Sequence, residues 1–120
     1  QVVLEHYQDA IASLQHGLQI AQSIGDLALQ GMNLTYLAEA FRGLQNPEMA
    51  VFSGCLGMYL LHQIHSDQWR QSAGILSILY GQLGSDRFQE ILMHYRPQFL
   101  QQIGVDGFDY LPNLLAEYRE

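Results

Sequence analysis

The chain has 120 residues, 48% of them apolar and 14% charged, which suits one compact domain or a short repeat stack and excludes a large multidomain enzyme. Twelve acids stand against five basic residues for a formal charge of -7, and the five are all arginine (Arg42, Arg70, Arg87, Arg96 and Arg119), with no lysine. Scattered arginines outnumbered by carboxylates repel a polyanion, so neither nucleic acid nor an anionic membrane surface is an expected partner.

The first predicted helix covers 3–24, on a stripe of Tyr7, Ala10, Ile11, Leu14, Leu18 and Ala21, the period of a surface helix with one covered face. Gly25 stops it and Asp26 starts the next, predicted over 27–44 with Leu34, Leu37, Phe41 and Leu44 inward. Asn46-Pro47-Glu48 opens a third helix over 47–65. Its window from Ala50 to Leu61 holds one polar residue, Ser53, so it is expected to be covered on more than one side. His65-Ser66-Asp67 leads into a fourth helix, 67–83, and Gly84-Ser85-Asp86 into a fifth, 86–102, with Phe88, Ile91, Leu92, Tyr95 and Phe99 on one side. Pro97 predicts a kink or break at Arg96. After Gly104-Val105-Asp106, Leu111, Leu114, Leu115 and Tyr118 suggest a short sixth helix over 109–119. No stretch alternates at period two, and the connections are short enough to force antiparallel neighbours. The reading is all-α, five to six helices, in a single domain spanning 1–120.

Cys55 is the one cysteine, and neither a basic-then-apolar leader nor an 18-residue uncharged apolar run is found; the expectation is a soluble, cytoplasmic chain. Because it opens on Gln1 rather than Met, a piece of a longer polypeptide or a processed chain is expected.

The helix pairs repeat. Leu37-Ala38, Phe41, Leu44-Gln45 and Ala50 align with Leu76-Ser77, Tyr80, Leu83-Gly84 and Gln89 at a period of 39, and Leu4, Ala10, Leu14 and Gly17-Leu18 fit the second half of the same pattern. Over residues 4–96 the chain resembles the tetratricopeptide repeat family, in its bacterial variety with repeats of about 40 residues. Segments such as Ala21-Gln22-Ser23-Ile24-Gly25-Asp26 are typical of that variety. The resemblance implies antiparallel helix pairs stacked as a short α-solenoid, with an orphan helix at 3–24, pairs at 27–65 and 67–102, and a capping helix at 109–119. Gln45 stands where the family has Gly, Gln89 where it has Ala, and the helix with Pro97 is atypical.

In this family the first helix of each pair lines a concave groove. The resemblance therefore places Met32, Thr35, Glu39 and Arg42, then Gln71, Gly74, Ile78 and Gln82, on a protein-binding surface. It lacks the Lys and Asn cluster that clamps a peptide's terminal carboxylate in some members, so apolar and amide contacts are expected to hold the ligand.

Other chemistry is sparse. His62 and His65, one turn apart, with Asp67 beyond, have loose metal-ligand spacing. The preferred alternative has His65 completing a helix end and His62 lining a helix contact. Cys55 lies in the most apolar stretch, where a thiol is packing rather than nucleophile. Gly54, Gly57, Gly74 and Gly81 fall inside helices and suggest close packing, not a phosphate loop. The expected function is a non-enzymatic module that binds a protein or peptide segment and needs no cofactor. The alternative is a homodimer built on the open end of the stack, and a metal-binding or enzymatic helical domain ranks third.

Overall fold

Six helices follow one another in the computed structural model, which describes residues 2–120: α1 (Val2–Ile24), α2 (Leu27–Gly43), α3 (Pro47–Gln63), α4 (Trp69–Leu83), α5 (Ser85–His94) and α6 (Arg96–Arg119). Local chemistry sets most of the boundaries. The Asp26 carboxylate accepts a hydrogen bond from the Leu29 amide at 2.9 Å, and the Asn46 side chain accepts one from the Met49 amide at 3.3 Å, with Pro47 opening α3. Each satisfies an amide that the first helical turn leaves without an internal partner. The break predicted at Arg96 falls one residue earlier, at Tyr95, between α5 and α6.

Three helix ends share one design. The amides of Asp26, Asn46 and Ser66 reach back to the carbonyls of Ala21, Phe41 and Leu61 at 2.9–3.0 Å. The residues before them, Gly25, Gln45 and His65, are left-handed, with φ of 71°, 60° and 60°. This is the Schellman closure of an α-helix. Gly84 (φ 84°) and Gly104 (φ 74°) complete the set of left-handed residues among those described, so these positions recur at spacings of 20, 20, 19 and 20 residues.

Two of the five carry a side chain that resists this conformation, because a Cβ in the left-handed region crowds the following carbonyl by about 1–2 kcal/mol. Gln45→Gly should accordingly raise the unfolding free energy by about 1 kcal/mol, read as a higher urea midpoint at unchanged slope. An unchanged or lower midpoint would show that the Gln45 side chain contributes more than its backbone conformation costs.

Three boundaries differ from the sequence reading, the first being the fifth helix, expected over 86–102, which ends at His94. α4 starts at Trp69, not at 67. The turn before it closes with bonds from the Trp69, Arg70 and Gln71 amides to the carbonyls three residues back, and the Ser66 hydroxyl accepts from the Gln68 amide at 3.3 Å, so Asp67 is not the cap. The closing segment is longer than 109–119: α6 runs from Arg96 to Arg119, broken at Gly104 (φ 74°, ψ 175°), with 105–119 as its second half.

Packing follows from the small residues. A Cβ built on Gly31 would lie 2.6 Å from Leu61, one on Gly57 3.0 Å from Thr35, and one on Gly54 3.5 Å from Ala38. Contacts that descend α2 as they climb α3 make the pair antiparallel, and the missing side chains let it close tightly. α3 is central, meeting α2, α4, α5 and α6, whereas α1 packs against α2 alone. Met58, Leu61, Leu76, Leu79, Phe88, Phe99 and Leu114 are fully buried around it, each contributing about 1.5–3 kcal/mol by leaving water. Two buried hydroxyls are satisfied, Thr35 donating to the Gly31 carbonyl at 2.8 Å and Ser72 to the Gly54 carbonyl at 2.7 Å. Among the described residues no helix is long and apolar enough to cross a membrane.

Candidate binding groove

Among the described residues α1 touches only α2, so the side of the α2–α3 seam beyond it stays uncovered. A groove of about 320 Å³ opens there. Leu34, Leu37, Phe41, Phe52 and Leu56 form its floor, Gln15, Leu18 and Gln22 of α1 form one wall, and Gln102 and Ile103 of α6 form the other. The walls are set by packing elsewhere. Phe99, one turn before Ile103, is fully buried with its ring 4.9 Å from Phe52, which holds the first half of α6 against α3. At the α1–α2 turn the Gln30 amide donates to the Ala21 carbonyl at 3.4 Å.

None of the fifteen residues lining the groove is charged, in a chain of formal charge -7. The polar groups are amides of Gln15, Gln22, Gln30 and Gln102 and the hydroxyl of Ser53. Amides both donate and accept, so the rim can pair with a peptide backbone while the floor takes apolar side chains.

The eight residues assigned to a groove by resemblance do not form one surface. On α2, the positions lining the observed groove (27, 30, 34, 37 and 41) and those expected (32, 35, 39 and 42) are centred roughly 140° apart at about 100° per residue. Thr35 is buried with its hydroxyl bonded inward, and Met32 packs partly buried against the core. Glu39 and Arg42 form an ion pair on the surface. That pairing raises the Arg42 pKa above its ordinary value, chiefly through the hydrogen bond to Glu39. Arg42 and Gln82 share a separate cleft of about 400 Å³ with Leu79 and Leu83. A Cβ on Gly74 would meet the Tyr118 hydroxyl at 3.0 Å, which places that position beneath the closing segment, while Gln71 and Ile78 are exposed.

His62, His65 and Asp67 line a shallow recess of about 180 Å³ with Ser66 and Trp69. His62 faces Glu117 at 3.3 Å and stacks edge-on against Trp69 at 5.2 Å. Among the described residues no three His, Cys, Asp or Glu side chains are grouped to hold a metal. Cys55 is fully buried beside Tyr80, Phe88 and Leu111. Burial pushes its pKa well above the ordinary thiol range, which keeps it protonated. Gly81 meets nothing within 4 Å, so close packing does not account for it.

The fold and the groove define the chain as an all-α stack of six helices with an uncharged apolar recess between its first and last elements. No family model, no curated protein and no solved structure matches it.

Proposed function

We propose that this chain is a non-enzymatic helical interaction module, and that it holds an uncharged apolar segment of a protein in the groove between α1, the α2–α3 seam and the first half of α6. The carrying observation is the absence of charge from all fifteen lining residues in an otherwise acidic chain. An apolar side chain entering there gains burial, whereas a charged one loses hydration with no opposite charge to meet it. The even recurrence of left-handed residues and the three like helix ends support a tetratricopeptide-type repeat as the scaffold.

Peptide display on the intact chain tests the reading. Selected peptides should be apolar, amide-bearing and poor in Asp and Glu. Introducing charge at exposed lining positions through Gln15→Glu, Gln22→Glu and Leu27→Glu should weaken the selected peptide by at least about tenfold, since the bound segment would cover each charge without offering it a partner. Glu39→Ala with Arg42→Ala, on the other side of α2, should leave binding unchanged. Loss in the second variant with retention in the first would move the site to the surface that the resemblance implied.

A further inference from the structure

The other side of α1 is also uncovered, and its chemistry differs from the groove. Val3, Ala10, Ser13, Gly17, Ile20 and Ile24 recur at alternating three- and four-residue steps, completed by His6, the spacing of a helix seam that takes another helix. Val3 is 61% exposed, Ile20 46% and Ile24 66%. This stripe does not end at α1. A Cβ on Gly17 would lie 3.3 Å from the Asn33 side chain of α2, and Leu29 and Tyr36, one turn to either side of Asn33, are 41% and 44% exposed. The result is a face across the α1–α2 hairpin that sets exposed apolar side chains beside small and polar ones.

The geometry points to a second copy of this chain as the occupant, with the two α1 helices packed antiparallel about a two-fold axis into a four-helix bundle of two hairpins. The sequence of α1 is complementary to itself in that orientation. Setting Ala10 opposite Ser13 of the second copy brings Val3 opposite Ile20 and His6 opposite Gly17. The same register sets Asp9 beside His16 of the second copy, once on each side of the axis. Glu5 and Asp9 are the only carboxylates on α1, which carries no lysine or arginine. Small residues at 10 and 13 permit the close approach near the axis.

Sedimentation equilibrium on the intact chain should give twice the monomer mass of 13.6 kDa. Ile20→Asp with Ile24→Asp, both at exposed positions, should raise the dissociation constant roughly 100-fold while far-UV circular dichroism stays unchanged. Asp9→Arg should weaken the dimer about fivefold, and adding His16→Glu should restore it. Ala10→Cys with Ser13→Cys should oxidise to a covalent dimer, since Cys55 is buried and cannot compete. A monomeric wild-type chain overturns the proposal, including one that uses this face for a different protein. A dimer that neither the aspartate variants nor the charge exchange affects overturns it too, as does one that fails to cross-link. The groove variants Gln15→Glu and Gln22→Glu alter the opposite side of α1, and the pair should remain dimeric, so failure of one reading is distinguishable from failure of the other.

Discussion

Phe99→Ala should lower the unfolding free energy by about 3–5 kcal/mol, the range for deleting a fully buried aromatic ring. Phe99 is 0% exposed, and its ring lies 4.9 Å from Phe52 on α3 and 5.3 Å from Phe108 beyond the Gly104 break. One side chain therefore ties the central helix to both halves of α6. Domains of this kind have about 5–15 kcal/mol in total, so the variant should be partly unfolded at mild denaturant concentrations. Phe52 lines the groove floor and loses its support when Phe99 is removed. Peptide binding should weaken even at temperatures where the variant remains helical. Chemical denaturation followed by circular dichroism checks the first claim, and a loss below about 1 kcal/mol would mean that α6 is not anchored there.

The second large effect has opposite signs at two glycines. Gly57→Ala places a Cβ 3.0 Å from the Thr35 hydroxyl, 3.1 Å from the Gly31 carbonyl oxygen and 3.2 Å from the Leu34 Cβ. The carbonyl cannot yield on its own, because it belongs to α2 and already accepts from Thr35 at 2.8 Å. The helices must part, which costs about 1–3 kcal/mol and outweighs the roughly 1 kcal/mol by which Ala favours a helix over Gly. Gly57→Val should exceed 3 kcal/mol by the same mechanism, given about one further branched side chain in the seam. Gly81→Ala faces open space and should stabilise by about 0.5–1 kcal/mol, since only the helix preference remains. Thermal melts of the two alanine variants should shift in opposite directions. Equal shifts would show that α2 and α3 are not as close as these distances make them.

The helix ends were legible because their chemistry is local. Asp26, Asn46-Pro47, Gly84 and Pro97 act on amides and dihedrals within a few residues of themselves, and the helices stop or start beside each of them. The exceptions have physical causes. Asp67 sits where a cap belongs, but a turn with three-residue bonds and the Ser66 hydroxyl occupy that place. The left-handed turn at Gln45 carries no glycine to announce it. The groove was much less legible. α2 is apolar on two sides, with Leu34, Leu37 and Phe41 on one and Met32 with Thr35 on another. Which of them stays open depends on where α1 and α6 come to rest, a long-range outcome that periodicity within α2 does not encode. The one available signal was the nearly unbroken apolar run of α3, which needs cover on all sides, and the structure leaves Phe52 and Leu60 of that run only partly covered.

The central claim is that the uncharged groove, rather than the Glu39–Arg42 side of α2, is where a partner segment binds. Methyl-resolved NMR of the intact chain, titrated with a peptide selected by display, tests it most directly. The largest shifts should fall on the Leu18, Leu34, Leu37, Leu56 and Ile103 methyls, with Met32 and Ile78 unchanged. Shifts centred on Met32 and Ile78, with the groove methyls unmoved, would contradict it.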